Sequence, residues 1–107
     1  MKIKFNERIH LLEIIPERGS HVLNMIYAGI VSKLFVKQEE LNEWSAVEIR
    51  GPNGEFGHRI ADDIDTTKDI EFTNDELVRI RVLLKEQNEK QTLHRELTNI
   101  YTDLFAK

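Results

Sequence analysis

The amino-acid sequence predicts an α+β domain that is mainly helical, with about five helices and a small antiparallel β-hairpin or three-stranded sheet inserted in the middle. Three observations predict this class. Apolar residues recur at three- and four-residue spacing in both halves of the chain, as they do on one face of a helix. Alternation of apolar and polar residues replaces that spacing in the middle. Asn53-Gly54, a strong hairpin signal, lies within the alternating region.

The length and composition of the chain predict a single domain over residues 1–107. A chain of 107 residues is close to the commonest domain size. Its hydrophobic fraction of 40% and charged fraction of 32% are typical of a globular protein. The pattern divides the domain into a helical segment over 6–44, a β-hairpin and acidic loop over 45–72, and a second helical segment over 73–107.

The first strand is predicted from alternating apolar and polar residues, and the first helix from an N-cap and a proline. Ile3 and Phe5 alternate with lysines, which predicts a very short strand. Asn6 is a favourable N-cap for the helix that follows. Because Pro16 disfavours helix at the residue before it, we expect this first helix to end near Ile14.

The second helix, predicted over 21–35 with Ser20 as its N-cap, is the most apolar stretch of the chain. Gly29 within it marks a close crossing with another helix. A third, short helix is predicted over 36–44. Apolar residues lie on several sides of the second helix, so we expect it to be central and surrounded. Its principal face consists of Leu23, Ile26, Tyr27, Ile30 and Leu34, and much of the rest is covered by Val22, Met25 and Val31.

The middle of the chain predicts β-structure. Val47, Ile49 and Phe56 alternate with polar residues on the two sides of the Asn-Gly turn, which predicts a hairpin over 46–59. A third strand is predicted over 68–72, where apolar residues again alternate with polar ones.

The C-terminal third predicts two helices. Thr73 and Glu76 form a capping-box pattern that begins a helix running to about Asn88. Thr92 is predicted to cap a final amphipathic helix over 93–105.

The charges are distributed unevenly. Residues 1–37 have a net charge of +3, residues 38–76 of −9, and residues 77–107 of +2. A strongly acidic middle argues against a general nucleic-acid binder, which needs a clustered basic face, and it permits a basic protein partner. The alternative is an acidic loop region that keeps a small protein soluble. The predicted partner surface consists of Glu39, Glu40, Glu43, Asp62, Asp63 and Asp65.

The sequence lacks the patterns that support catalysis or cofactor binding. It has no cysteine, and none of its five glycines forms a phosphate-binding loop. Its four histidines have no metal-binding spacing, and no serine lies in a Gly-x-Ser-x-Gly elbow. We therefore predict no catalytic residue, cofactor or metal, and no enzymatic activity. Without a signal peptide or a membrane-length apolar run, we expect a cytoplasmic location.

Several segments at the two ends of the chain form a recognisable series. They are Glu7-Arg8-Ile9 through Ile15-Pro16-Glu17-Arg18-Gly19, Val22-Leu23, Ile70-Glu71-Phe72, Lys90-Gln91-Thr92, and Tyr101 to Phe105. In these segments the chain resembles a family of small uncharacterised phage and prophage proteins of Gram-positive bacteria. The resemblance covers most of the chain outside residues 45–68, although the family has fewer residues between the Thr step and the final Tyr. It implies a phage protein acting inside a bacterial host, and it implies no catalytic residue.

Three functional hypotheses follow. The first is a phage-encoded accessory protein that binds and modulates a host or phage protein through the acidic surface or an exposed helix face. The alternative is a DNA-binding regulator using the C-terminal helix pair, whose last helix has only Arg95 and Lys107 as cations. The third is a homo-oligomer with the helix over 93–105 at its seam.

Overall fold

Helices and two small antiparallel sheets make up the structure, a computed structural model that describes residues 1–105. The α+β class is confirmed. Four of the described helices, α1, α2, α4 and α5, have eight residues or more, whereas α3 has six. The elements in chain order are β1 (Lys2–Ile3), α1 (Phe5–Ile14), α2 (His21–Leu34), α3 (Gln38–Glu43), β2 (Val47–Arg50), β3 (Phe56–Arg59), β4 (Lys68–Asp69), α4 (Asn74–Glu89), a 3-10 turn (Arg95–Leu97) and α5 (Thr98–Phe105).

The chain divides into two units, each with its own internal contacts. The first unit comprises Met1–Phe35 and Thr67–Lys107, and the second comprises Val36–Thr66. The short helix α3 therefore belongs to the same unit as the hairpin, and not to the helical segment predicted over 6–44. Residues 106 and 107, which the predicted C-terminal helical segment includes, lie outside the described residues.

The sheet prediction was wrong in its pairing. Instead of one hairpin or one three-stranded sheet, the described residues form two sheets of two strands each, β1 with β4 and β2 with β3. The strand predicted over 68–72 is only Lys68–Asp69, and it pairs antiparallel with β1. The reason is burial: Ile3 and Ile70 belong to the core, and pairing the first strand with β4 places both there.

The core of the first unit draws on both ends of the sequence. Leu97 and Ile100 near the C-terminus pack in the same cluster as Ile3 near the N-terminus. The buried members of this cluster are Ile3, Leu11, Ile30, Leu34, Ile70, Ile80, Leu84, Leu97 and Ile100.

The first helix begins two residues earlier than a cap at Asn6 would allow. Lys4 is the N-cap, and its backbone N–H donates to Glu7 Oε1 at 2.8 Å. The buried Glu7 carboxylate thus accepts the N–H of the N-cap residue, as the N3 glutamate of a capping box does. The predicted end at Ile14 is confirmed.

Arg8 is fully buried in α1 and binds the C-terminal end of α2. Its Nε donates to the carbonyl of Leu34 at 3.1 Å, and its Nη2 donates to the carbonyl of Phe35 at 2.7 Å. The last carbonyls of a helix have no partner within it, and they form the negative end of the helix dipole. A buried guanidinium therefore satisfies them with both hydrogen bonds and charge.

The second helix is not surrounded, so that prediction was wrong. On its principal face Tyr27, Ile30 and Leu34 are buried, and the other two residues are half-buried. By contrast, Val22 is 65% exposed and Met25 is 66% exposed. Since α1 and α4 are the long helices that pack against α2, they cover one of its sides and leave the other in solvent.

Glu76 joins the start of α4 to the middle of α2. Its carboxylate accepts the backbone N–H of Thr73 at 2.8 Å and the Lys33 ammonium at 2.5 Å, while its own N–H donates to Thr73 Oγ1. A Cβ at residue 29 would overlap Glu76 Oε2, so Gly29 provides the space for this carboxylate. The predicted capping box and the close helix crossing at Gly29 are both confirmed.

The last helix begins later than predicted, and Thr92 does not cap it. The backbone N–H of Thr92 instead donates to the carbonyl of Gln87 at 2.8 Å, and its hydroxyl donates to Gln87 Oε1 at 2.7 Å, so this residue caps the C-terminal end of α4. The chain reverses through Gln91, whose φ is 58°, and His94 then caps the 3-10 turn by accepting the N–H of Glu96 at Nδ1.

Replacing Arg8 tests the link between α1 and α2. We expect Arg8→Met, which retains much of the side-chain volume but has no donor, to lower the free energy of unfolding by about 3 kcal/mol, because carbonyls of α2 lose their partners. Urea denaturation measures the loss. The control is Arg18→Met at an exposed arginine, and an equal effect of the two substitutions would contradict the link.

Replacing Gly29 tests the space that the Glu76 carboxylate occupies. Gly→Ala inside a helix ordinarily stabilises by about 1 kcal/mol. We expect Gly29→Ala to destabilise the wild-type protein, because the new methyl group displaces the carboxylate, and to stabilise a Glu76→Ala background. Thermal unfolding of the two backgrounds, each with and without Gly29→Ala, gives the stability change that this substitution causes. A change of the same sign in both backgrounds would refute this assignment.

The Glu76 carboxyl gives a stability that depends on pH. Burial raises its pKa, but hydrogen bonds from Lys33 and Thr73 and the Lys33 charge outweigh burial and hold the pKa below the ordinary 4.5. A lowered pKa stabilises the folded state above the ordinary value, and this stabilisation disappears as the pH falls through the folded-state pKa. We therefore expect the stability difference between wild type and Glu76→Gln to shrink on acidification. A difference that stays constant in urea titrations from neutral to acidic pH would contradict the assignment.

Candidate protein-binding surface

The six predicted acidic residues all lie in the second unit. Three are in α3, and three lie in the turn region that follows β3. Five of the six are exposed, whereas Glu40 is half-buried. This unit holds three Lys/Arg and eight Asp/Glu, a net charge of −5, so it accounts for the acidity of the chain.

The three glutamates of α3 have different roles. Glu40 Oε1 accepts the N–H of Lys37 at 3.2 Å and so supports the beginning of this short helix. Glu39 and Glu43 are exposed. Leu41 on the same helix is buried, and its side chain anchors α3. Glu39 and Glu43 are therefore the glutamates of this group that are best exposed for contact with a partner.

The aspartates occupy a turn that the backbone closes with a hydrogen bond from Ile64 N–H to the carbonyl of Ala61 at 3.1 Å. Asp62 and Asp63 are exposed there. Within residues 1–105, no group of three or more His, Asp or Glu side chains is placed to hold a metal ion. What these carboxylates offer a partner is negative charge.

The hairpin is confirmed, with strands Val47–Arg50 and Phe56–Arg59 inside the predicted range. The N–H of Gly51 donates to the carbonyl of Glu55 at 2.8 Å and closes a loop of three residues. Gly54 has a φ of 83°, a left-handed conformation that glycine adopts without strain. The Asn-Gly signal thus located the turn, although the loop is one residue longer than the commonest Asn-Gly turn.

Both faces of the hairpin present apolar side chains to solvent. Val47 and Ile49 lie on one face, where Gly57 stands opposite Ile49 and leaves open space. Phe56 lies on the other face. Val47 is 61% exposed and Phe56 is 62% exposed. A two-stranded hairpin ordinarily needs a packed face for independent stability, so this one has apolar surface to offer a partner.

Local contacts hold Phe56 in place on its face. The Arg50 guanidinium lies over the Phe56 ring at 6.0 Å from its centroid. The His58 ring meets Phe56 edge-on at 5.2 Å between centroids, and Arg50 pairs with Glu48 at 3.2 Å. These exposed contacts orient the phenyl ring and add little stability.

The outer edge of β2 has backbone groups available for another strand. The hydrogen bond between Gly51 and Glu55 fixes the alternation of the antiparallel ladder, so Glu48 and Arg50 direct their N–H and C=O groups away from β3. No third strand pairs with the hairpin within the described part of the chain. An extended segment of a partner could therefore add to this edge.

The buried ionic groups of the described residues belong to the fold. These groups are Glu7, Arg8 and Glu76. Glu7 and Arg8 bind backbone groups of helix ends, and Glu76 binds Lys33 and Thr73. Sequence reasoning did not identify Arg8, because its acceptors lie 26 and 27 residues away along the chain.

Sequence reasoning also missed the exposed face of α2. Val22 and Met25 were assigned to a surrounded helix, and Val31 and Phe35 complete an apolar series on the solvent side. The one signal was the three-residue spacing of Val22 and Met25 and the four-residue spacing of Val31 and Phe35. This is helical spacing, and it identifies no partner for the exposed side.

No protein-family model, curated protein or solved structure matches the chain. Among residues 1–105, no helix combines the length and hydrophobicity needed to cross a bilayer. Any functional assignment therefore depends on the surfaces described above.

Proposed function

We propose that the chain is a phage-encoded accessory protein of the bacterial cytoplasm that binds and modulates a host or phage protein. The resemblance of its two ends to small phage proteins supports the setting. The second unit, Val36–Thr66, is the proposed partner surface. The observation that favours binding is a solvent-exposed apolar hairpin within a unit of net charge −5.

The chemistry of the surface specifies the partner. A partner that covers Val47 and Phe56 gains about 25 cal/mol for each Å² of apolar surface removed from water. Exposed carboxylates, such as those of Glu39 and Asp62, favour basic residues around that apolar contact. The partner is thus a protein with an extended apolar segment flanked by Lys or Arg, which adds to the edge of β2.

Catalysis receives less support than binding. Every buried charged side chain among residues 1–105 is engaged with a helix terminus, a capping residue or Lys33. These hydrogen bonds stabilise the fold. In this proposal the chain therefore acts by binding another protein.

DNA binding through the C-terminal helices also receives less support. The final helix, Thr98–Phe105, contains Asp103 and no Lys or Arg. Arg95 lies in the preceding 3-10 turn, and Lys107 lies outside the described residues. A recognition helix without cations gains nothing from the release of counterions.

Reversing the exposed charges of the second unit tests the proposal. The variant carries Lys at four exposed positions, and a control carries Lys at four exposed acidic positions of the first unit. Capture from a lysate of cells that carry the gene is quantified for both. We expect the variant to lose a specific partner by roughly tenfold or more, and the control to retain it. The variant positions are Glu39, Glu43, Asp62 and Asp63, and the control positions are Glu71, Glu86, Glu89 and Asp103.

A proline at position 48 tests the strand-addition geometry. The N–H of Glu48 faces away from β3, so Glu48→Pro removes the donor a partner strand would use and leaves the hairpin ladder intact. We expect partner capture to fall with circular dichroism unchanged. Equal capture by wild type, charge variant and proline variant would contradict the proposal, and DNA retention in a low-salt gel shift would favour the regulator.

A further inference from the structure

The edge strand β2 carries two opposite charges that alternate with apolar residues. Its sequence is Val47-Glu48-Ile49-Arg50, and all four residues are exposed. Glu48 and Arg50 lie on one face of the hairpin, and Val47 and Ile49 lie on the other. Within the strand, the Arg50 guanidinium binds the Glu48 carboxylate at 3.2 Å. The edge thus presents one acid and one base two positions apart.

This spacing is complementary to itself in one antiparallel register. When two copies of β2 run antiparallel about a twofold axis at Ile49, each Glu48 lies opposite Arg50 of the second copy. An axis at Glu48 or at Arg50 instead places like residues opposite each other, and so does a parallel arrangement in register. Like charges directly opposite each other destabilise a sheet, whereas opposite charges stabilise it. Charge therefore selects one orientation and one register.

The backbone supports the same register. The N–H and C=O groups of Glu48 and Arg50 point away from β3, so each residue can exchange hydrogen bonds with the residue opposite it in the second copy. At the axis, Ile49 meets Ile49 of the second copy in a closely spaced pair without hydrogen bonds. Gly57, which stands opposite Ile49 on β3, leaves open space beside this contact.

We propose that a second copy of the chain pairs with this edge, antiparallel about Ile49. The pairing joins two hairpins into one sheet of four strands, in which Val47 and Ile49 of both copies adjoin on one face. A sheet of three or more strands with an apolar face is stable where a two-stranded hairpin is marginal. The seam predicted over 93–105 is not available, because Leu97 and Ile100 are buried in the core of the first unit.

The dimer uses the edge that the proposed function assigns to a partner strand. One edge accepts one strand, so the dimer and the partner complex exclude each other, a consequence that rests on the proposed function. The net charge of −5 on the second unit of each copy opposes pairing, and β2 has only four residues, so the dimer is weak and reversible. Pairing of the purified chain needs no partner, so its test is independent of partner capture.

Charge substitutions in β2 test the register. We expect sedimentation equilibrium of the full chain, up to about 1 mM, to show a mass that rises from 12.6 kDa towards twice that value. Glu48→Lys alone and Arg50→Glu alone place like charges opposite each other, so each should weaken the dimer by about tenfold or more. The two substitutions change the net charge in opposite directions, so a common effect identifies the local pair.

Mixing the two variants separates contact between copies from contact within the strand. In an equimolar mixture, a Glu48→Lys chain meets an Arg50→Glu chain with opposite charges in both pairs, so the dimer should return. Each chain still lacks the ion pair within its own strand, so this rescue reports pairing between copies. A chain with both substitutions should also dimerise. The control is Arg81→Glu at an exposed arginine of α4, and it should dimerise as the wild type does.

Disulfide trapping tests the position of the axis. The chain has no cysteine, so Ile49→Cys and Val47→Cys each introduce a single thiol on the same face. Mild oxidation should link two Ile49→Cys chains, whose thiols meet at the axis. It should not link two Val47→Cys chains, because the two positions lie about 14 Å apart along the sheet.

Two sets of results would overturn the dimer proposal. A wild-type chain that stays monomeric at every concentration, or a Glu48→Lys chain that dimerises as the wild type does, would show that β2 does not pair with itself. Failure of the mixture to dimerise, or equal trapping of the Ile49→Cys and Val47→Cys chains, would refute the register. Capture of a partner by a chain that never dimerises would leave the proposed function intact and eliminate the dimer.

Discussion

The helical arrangement depends on the hydrogen bonds that the Arg8 guanidinium donates to α2. The guanidinium is buried in α1, and it reaches the carbonyls at the far end of α2. Burying a cation is unfavourable unless its hydrogen bonds are made, so the fold that satisfies Arg8 excludes arrangements that separate these two elements. Glu76 acts in the same way at the middle of α2, where Gly29 leaves room for its carboxylate. Together the two contacts fix how α2 is rotated and which of its faces remains in solvent.

The polar anchors and the apolar pattern of α2 select the same side. Tyr27 and Ile30, on the principal face predicted from the sequence, are buried, whereas Met25 on the other side is 66% exposed. The second unit offers a different surface, an exposed hairpin with surrounding carboxylates. The chain thus has two chemically distinct faces suited to contact with other macromolecules.

Local signals in the sequence predicted the element boundaries where a cap, proline or turn decided them. Pro16 ended α1 as expected, and Asn53-Gly54 located the hairpin turn. Long-range choices were not predictable: nothing near Arg8 in the sequence identifies its acceptors, and the pairing of β1 with β4 joins residues more than sixty positions apart. For the site, charge patterning placed the acidic residues in one unit, but it did not separate Glu40, which supports a helix end, from its exposed neighbours. Apolar residues on several sides of α2 predicted a surrounded helix, although only its principal face is covered.

The orientation of α2 is tested most directly at its methionine. The chain has two methionines, of which Met25 is 66% exposed and Met1 packs against the core. With ¹³C-labelled methionine methyl groups and a soluble paramagnetic agent, NMR of the dilute monomeric protein compares the two directly. The account predicts strong relaxation enhancement at Met25 and weak enhancement at Met1. Equal protection of both methyl groups would show that α2 does not present this face to solvent, and it would contradict the account.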